Sequence, residues 1–327
     1  MKWTVVVATH NRSELLRRAL AAMTPVQGHD MEIIVVDDNS TLDEQAANRQ
    51  VVAHVPGARY LFIACAHAPG NGVSVARNVG IENASGEVIA FCDDDDHWTP
   101  AGYRKLALDA FAEDPRLDMT FADLRTDFQG ATVRESWLCA LRARLSRQGR
   151  EGHGLLRITA EDLLAWPGGE LPHLDTCLLR RELFERCGAF APDLRYGEDL
   201  DLLLRAVDAA GGIGFVDEIA AIHERPDRER QLSLSSIDER RKLHAGILIM
   251  HRIFDACSTP AVRNHARHGL ADRYRRLAHW ALRDGLPRVA FRWAAVGLAW
   301  RWNMRWAGMT LFLALRSALA MARTGKA

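Results

Sequence analysis

No stretch of this chain approaches the roughly 18 uncharged apolar residues that a membrane-spanning helix needs. The longest candidate, Trp306 to Leu315, is ten residues closed off by Arg305 and Arg316. The opening MKWTVVVATHNR has too short an apolar run for a secretory signal. The six cysteines, at 65, 92, 139, 177, 187 and 257, form no CxxC pair and no zinc-like cluster. They read as free thiols in a reducing compartment. Formal net charge is zero, which argues against a nucleic-acid binder. No G-x-G-x-x-G follows a strand-like run, so a dinucleotide-dependent dehydrogenase is disfavoured. These absences leave a cytoplasmic globular protein, able to lie on the inner face of the cell membrane but not to cross it.

What is present is unevenly spread. The chain has 327 residues, 48% of them hydrophobic and 26% charged, enough for one large domain and an appendage. From Pro260 to Ala327 thirteen Lys and Arg face two acids, Asp272 and Asp284, a surplus of eleven positive charges that residues 1–259 balance. Trp280, Trp293, Trp300, Trp302 and Trp306 all fall in this basic tail. The expected division is a catalytic domain over 1–228, with halves of about 1–100 and 101–228, and a helical region over 229–327. RPDRERQLSLSS lies at the boundary as a loop or linker.

The hydrophobic pattern gives the fold class. WTVVVA is a short buried strand running into a polar turn, and SELLRRALAAM has helical spacing with Ser13 as its N-cap. MEIIVVDDNS and ARYLFIAC follow as strands, VSVARNVGIENA as a helix closed by Gly86, and EVIAFC as a strand. Such alternation predicts an α/β fold: a mostly parallel, Rossmann-like sheet flanked by helices. Ligands of such sheets bind beyond the carboxyl ends of the strands. The unusual polar residues sit there: Thr9-His10-Asn11-Arg12, Asp37-Asp38-Asn39-Ser40, and Asp93 to Asp96. DMTFADLRTDF predicts a strand or hairpin, DTCLLRRELFERCGAF a strand and short helix, RYGEDLDLLLRAVDAAGG a loop feeding a helix, and GIGFVDEIAAIHE a late strand pair. Between about 125 and 172 the pattern weakens; RLSRQGREGHG within it is a polar, Gly-rich loop.

Four aspartates in a row repel one another unless a cation neutralises them. Hard oxygen ligands suit Mg²⁺ or Mn²⁺, which typically combine one or two carboxylates with substrate phosphate oxygens. The plainer reading of DDDD is a solvated acidic turn capping the next helix. Its place after a buried strand favours a diphosphate–metal site.

These residues resemble the GT-A fold, inverting glycosyltransferases of family 2. VVVATHNR is similar to the family's first strand and nucleotide turn, EIIVVDDNS to its second strand, GNGVSVARNVGI to its N-G-x-x-x-A-R-N-x-G segment and AFCDDDDHW to its metal motif. LLRRELFERCGAF and GEDLDLLLRA are similar to its acceptor region and E-D motif. The matches cover roughly residues 3–225 in the family's order and leave the helical tail outside. The resemblance implies that Thr9, Asn11 and Arg12 line the nucleotide pocket. Asp37 would accept from the base, most naturally the N3–H of uracil or thymine, and Arg77 would approach the nucleotide or diphosphate. Asp93 would sit near the ribose or the ion, Asp95 would ligate the metal, and His223 would be a further ligand. Asp94 is an extra carboxylate at a variable position, which leaves open which pair of aspartates holds the ion. Asp199 would be the catalytic base, with Glu198 as competitor or as an orienting group. Asn78 and Gly80 are assigned to turn and packing geometry.

The chemistry explains these residue types. Negative charge grows on the β-phosphate as the sugar leaves, and a divalent ion bridging the phosphates stabilises it. The acceptor hydroxyl is a weak nucleophile; a positioned carboxylate that takes its proton is worth about 10²–10⁴-fold. One base and back-side attack predict inversion. The expected substrates are a UDP- or dTDP-sugar and a hydroxyl of a glycan or lipid-linked acceptor. Two other readings compete. A nucleotidyltransferase wants a Gly-rich phosphate loop, and ATHNR lacks the glycines. A non-catalytic, membrane-docked scaffold has no chemical need for Asp93, Asp95, Asp199 and His223 together. The Arg- and Trp-rich tail suits an anionic membrane surface or packing within the protein or an oligomer.

Overall fold

The computed structural model describes residues 1–324 except 27, 67–69, 101, 151, 153, 166–169 and 226–237. The linker expected at 225–236 lies almost wholly outside the described residues. Two compact units are present, Met1–Ser236 and Ile237–Ala327.

The first unit alternates strand and helix at its start. β1 (Lys2–Thr9), α1 (Ser13–Ala21), β2 (Asp30–Asp38), α2 (Leu42–Ala53), β3 (Ala58–Ile63), α3 (Val73–Asn83) and β4 (Val88–Phe91) follow in turn. Then come β5 (His97–Trp98), α4 (Gly102–Glu113), β6 (Met119–Phe128), β7 (Ala131–Arg134), α5 (Cys139–Arg147), β8 (Leu155–Ile158) and α6 (Ala160–Leu164). A 3-10 turn (Leu174–Thr176) leads into β9 (Cys177–Arg180), α7 (Arg181–Cys187), α8 (Glu198–Ala209) and β10 (Ile213–Glu224).

The strands form one mixed sheet in the order β3-β2-β1-β4-β9-β6-β10-β5, with β7 added to β6 and β8 to β10. β3, β2, β1 and β4 run parallel. β9 is antiparallel to both its neighbours. The parallel strands are apolar on both faces, as a doubly covered sheet requires. Val5, Val7, Ile33, Val35 and Ala90 pack on one side with Leu16, Leu20, Leu108 and Phe111, beside Trp3 stacked on Trp98 at 5.9 Å. Phe91 meets Phe184 and Phe190 edge-on. Each such buried side chain contributes about 1.5–3 kcal/mol.

Two sequence expectations change. The late strand pair is one twelve-residue strand, β10, with register shifts between Val216 and Ile219 and between Ile219 and Ala221. Asp217 and Glu218 bulge out to solvent there, which breaks the apolar period without ending the strand. Ser13 is not the cap of α1; Arg12 occupies that position, and its side chain accepts no cap bond. Instead Glu44 of α2 accepts from the Ser13 N–H at 2.8 Å.

The second unit is helical: α9 (Glu239–Ala256), α10 (Pro260–Arg283), α11 (Pro287–Trp300) and α12 (Met304–Thr324). Gly285, in the left-handed region, and Pro287 separate α10 from α11. Ala278, Ala281, Ala290, Ala294, Trp306 and Leu313 form its core, and Trp306 Nε1 donates to the Ala294 carbonyl at 3.0 Å. Among the described residues no helix is long and apolar enough to cross a membrane.

Candidate active site

The site is built where β1, β2 and β4 end. After β1 the chain turns through Asn11, whose φ of 54° an Asn tolerates better than most residues. Its N–H donates to Ser40 Oγ and its Oδ1 accepts from the Thr41 N–H, both at 2.8 Å. The first strand end is thereby stapled to the second.

The sequence expectation for Asp37 differs from its placement. Asp37 has no exposed surface and accepts from the Ser40 N–H (2.9 Å), Asn48 Nδ2 (2.8 Å) and Tyr60 OH (2.7 Å). Successive side chains of a strand point to opposite faces, and Asp37 takes the inward one. Asp38 accepts from Asn71 and from the Gly72 N–H, which fixes the turn into α3.

α3 supplies Arg77, 5% exposed, beside the site. Gly80 on this helix faces Val6 of β1, and a Cβ there would collide with the valine side chain. Arg77 donates to Asp93 at 2.6 Å and to Glu198 at 2.9 Å. Burial opposes the guanidinium charge, yet the Asp93 and Glu198 carboxylates more than restore it and raise its pKa. Burial alone would raise Asp93, but Arg77 and then His173 hold it below its ordinary value. Glu198 is raised by burial and by its neighbour Asp199. Both acids stand in the first turn of α8, entered through left-handed Gly197. Asp199 lies close enough to act on Arg77 and on His173 through its charge.

The four aspartates after β4 do different things. Asp94 accepts from Thr9 Oγ1 at 2.7 Å and from Arg12 at 3.1 Å; burial, then Asp95, push its pKa up to about 7. Asp95 pairs with the same Arg12 nitrogen at 3.1 Å. Asp96 is fully buried; its two oxygens each lie 3.1 Å from His223 Nδ1, and one accepts from the Glu224 N–H at 3.0 Å.

Two residues absent from the sequence argument complete this corner. The 3-10 turn brings in Asp175, which accepts from the Asp93 N–H at 3.2 Å through one oxygen and keeps Oδ2 buried with no donor aimed at it. It also places His173, whose ring lies 5.3 Å from that of His223. Trp137 sits edge-on to both imidazoles. Oxygens of Asp93, Asp96 and Asp175 lie within 4.8 Å of one another, as do ligand atoms of Asp96, His173 and His223. Burial, then the charge of Asp93, push Asp96 and Asp175 well above the usual carboxylate range. Burial lowers His173, which favours the neutral imidazole that binds metals. An orphaned buried oxygen, crowded carboxylates and the neutral imidazole of His173 fit a divalent cation of the Mn²⁺ or Mg²⁺ type.

Of the residues expected from sequence, the fold thus gathers Thr9, Arg12, Arg77, Asp93, Asp94, Asp95, Glu198, Asp199 and His223 beyond the ends of β1 and β4. Asn11 shapes its rim and Asp37 its foundation. Asp96 stood in plain sight within DDDD; His173 and Asp175 had no sequence signal, lying at the edge of the stretch without periodicity.

A family model, Glycosyl transferase family 2, matches residues 4–164. That stretch is a glycosyl transferase family 2 domain. The chain is similar to the uncharacterized glycosyltransferase YibD of Escherichia coli (strain K12), 30% identical over 42% of this chain and 37% of that protein. It is also similar to the succinoglycan biosynthesis protein ExoM of Rhizobium meliloti, 29% identical over 72% of this chain and 70% of the relative. A GalNAc(5)-diNAcBac-PP-undecaprenol beta-1,3-glucosyltransferase of Campylobacter jejuni is 35% identical over 29% of this chain and 30% of its own. The chain therefore spans about a third of the length of two of these three relatives. Among solved structures, S. aureus TarS 1-349 in complex with UDP-GlcNAc superposes with TM-score 0.60 at 18% identity, covering 90% of this chain and 79% of that one. A mannosyltransferase of Pyrobaculum calidifontis, in complex with GDP-Man and Mn2+, gives 0.56 at 20% identity, covering 98% and 80%. These neighbours carry the GT-A fold, and residues 4–164 match the model of the family 2 glycosyltransferases.

Proposed function

We propose that this glycosyltransferase moves one sugar from a nucleoside-diphosphate donor to a hydroxyl of a glycan or lipid-linked glycan, with a divalent cation and with inversion at the anomeric carbon. The observation that supports this best is the meeting of five ligand-capable side chains, Asp93, Asp96, His173, Asp175 and His223, beside the Arg77 bridge that leads to Glu198 and Asp199. Donor class and metal agree with the UDP-GlcNAc, GDP-Man and Mn2+ named in the TarS and mannosyltransferase complexes. The undecaprenol-linked acceptor named for the Campylobacter relative agrees with a lipid-linked one here.

In this reading Thr9, Asn11 and Arg12 line the donor pocket, and Arg12 exchanges Asp94 and Asp95 for donor phosphate. Asp93 and His223 keep the ligand roles the family resemblance implies, joined by Asp96, Asp175 and His173. Asp95 pairs with Arg12 through one oxygen and ligates the ion through the other. The bound Mn²⁺ or Mg²⁺ supplies Lewis-acid stabilisation of the leaving diphosphate. Asp199 accepts the proton of the acceptor hydroxyl as its oxygen attacks the face opposite the leaving group. Glu198, held by Arg77, fixes the head of α8 so that Asp199 stays in place. A uracil or thymine donor was expected through Asp37; with that carboxylate committed inside the fold, the base is left to experiment.

Calorimetry with UDP, dTDP, GDP and CMP, with and without Mn²⁺, tests the proposal on wild type and Asp199→Asn. One diphosphate should bind both proteins only with metal, while transfer by Asp199→Asn falls about 10²–10⁴-fold. Wild-type transfer rates in Asp199→Asn would exclude it as the base; binding of no nucleotide by folded, metal-loaded protein would return the scaffold reading.

A further inference from the structure

α12 has two apolar faces, and the structure covers one of them. Trp306, Thr310, Leu313 and Ser317 are buried, and Trp306 and Leu313 belong to the core of the helical unit. On the opposite side Met304, Gly308, Leu311, Leu315 and Ala318 follow one another at steps of four and three, the spacing that keeps residues on one helical stripe. Met304, Leu311 and Leu315 are 79%, 64% and 60% exposed. Phe312, 49% exposed, borders the stripe with the guanidinium of Arg316 over its ring at 5.7 Å. Arg305 and Arg316 stand exposed along the same edge, and Trp302, 67% exposed, precedes the helix. Bare leucines in register, rimmed by arginine, mark an interaction surface rather than scattered surface residues.

The charge identifies the occupant. Residues 260–327 carry eleven more positive than negative charges, and their two acids are engaged, Asp272 with Arg275 and Asp284 with Arg240. A second copy of the chain would set the same patch against itself and bring rim arginines onto rim arginines, with neither acid of residues 260–327 standing between them. An anionic bilayer offers hydrocarbon for the leucines and phosphates for the guanidinium groups. Trp302 suits the headgroup depth between them. Since no described helix can cross a membrane, the helix would lie in the interface plane. We propose that the exposed face of α12, centred on Met304, Leu311 and Leu315, docks this protein on an anionic membrane surface. The inference stands on this helical unit alone and does not depend on the reaction assigned to the first unit.

Co-sedimentation of the full chain with vesicles tests it. The protein should partition onto phosphatidylcholine vesicles containing phosphatidylglycerol and not onto phosphatidylcholine alone, and added salt should weaken the binding about tenfold or more. Leu311→Glu with Leu315→Glu should reduce partitioning about tenfold or more, with circular dichroism and melting temperature unchanged because both positions are exposed. Arg305→Glu with Arg316→Glu, which spares the apolar stripe, should reduce it by a similar factor. Wild-type partitioning in both double variants would overturn the proposal. So would equal binding to neutral vesicles, or a change from dimer to monomer in sedimentation velocity with vesicle binding untouched, which would give the face to a second copy.

Discussion

The acidic run after β4 splits into two regions that share a sequence and little else. Asp93, Asp94 and Asp95 are answered from within the protein: Arg77 takes the first, and Arg12 takes the other two. Asp96 and its partner from the 3-10 turn, Asp175, bond to no arginine among the described residues and face two imidazoles instead. Identical residues one position apart therefore keep different partners. Without a guanidinium beside them, burial and the charge of Asp93 push Asp96 and Asp175 toward the neutral form. The difference teaches that an Asp cluster is assigned by its partners, which come from β1, α3 and the turn before β9, and not by its own spacing.

The comparison can be broken most forcefully at Arg77. Arg77→Leu leaves buried Glu198 and half-buried Asp93 without their cation and should destabilise the protein by about 3 kcal/mol in urea denaturation; a loss under about 1 kcal/mol would show that the matched half does not rely on this residue. The next largest effect belongs to the unmatched half. His223→Ala should weaken Mn²⁺ binding, read by electron paramagnetic resonance, about 10–100-fold, while Arg12→Ala changes it by no more than about threefold. Equal losses in the two variants would erase the distinction. The smallest effect sharpens it. With a folded-state pKa of about 7, Asp94 stays protonated in the native protein while the unfolded chain has already ionised. Its burial therefore costs nothing below the ordinary aspartate range, and the cost grows as pH rises until the native carboxyl ionises near 7. Asp94→Asn should stabilise the metal-free protein by on the order of 1 kcal/mol at pH 8 and by almost nothing at pH 4, measured by thermal melting.

Much of this was legible in the chain. Apolar runs ending in polar clusters locate β1, β2 and β4 and the cleft beyond them, because strands buried on both faces leave no other pattern. Arg77 and the Glu198–Asp199 pair follow from the family's spacing. The rest depended on contacts that sequence order hides. β9 enters the sheet between β4 and β6 although it follows both, and only that insertion carries His173 and Asp175 to the aspartates. Asp37 and Asp38 are indistinguishable as letters; strand alternation and the neighbours Asn48 and Tyr60 decide which one turns inward. Ser13 has an ideal capping side chain, yet a carboxylate from α2 serves its backbone instead.

α3 touches the segment before and into α8 at successive points: Ser74 donates to the Leu194 carbonyl, Arg77 to Glu198, and Asn78 exchanges a pair of hydrogen bonds with Phe190. The partners lie 112 to 121 residues apart in the chain. A ribosome must therefore deliver about the first two hundred residues before this clamp can close, and loop closure over such distances is slow. Until then Arg77 stands without Glu198 beside it. The corner that joins Asp93, Arg77 and Glu198 is therefore completed long after β1 to β4 have been made.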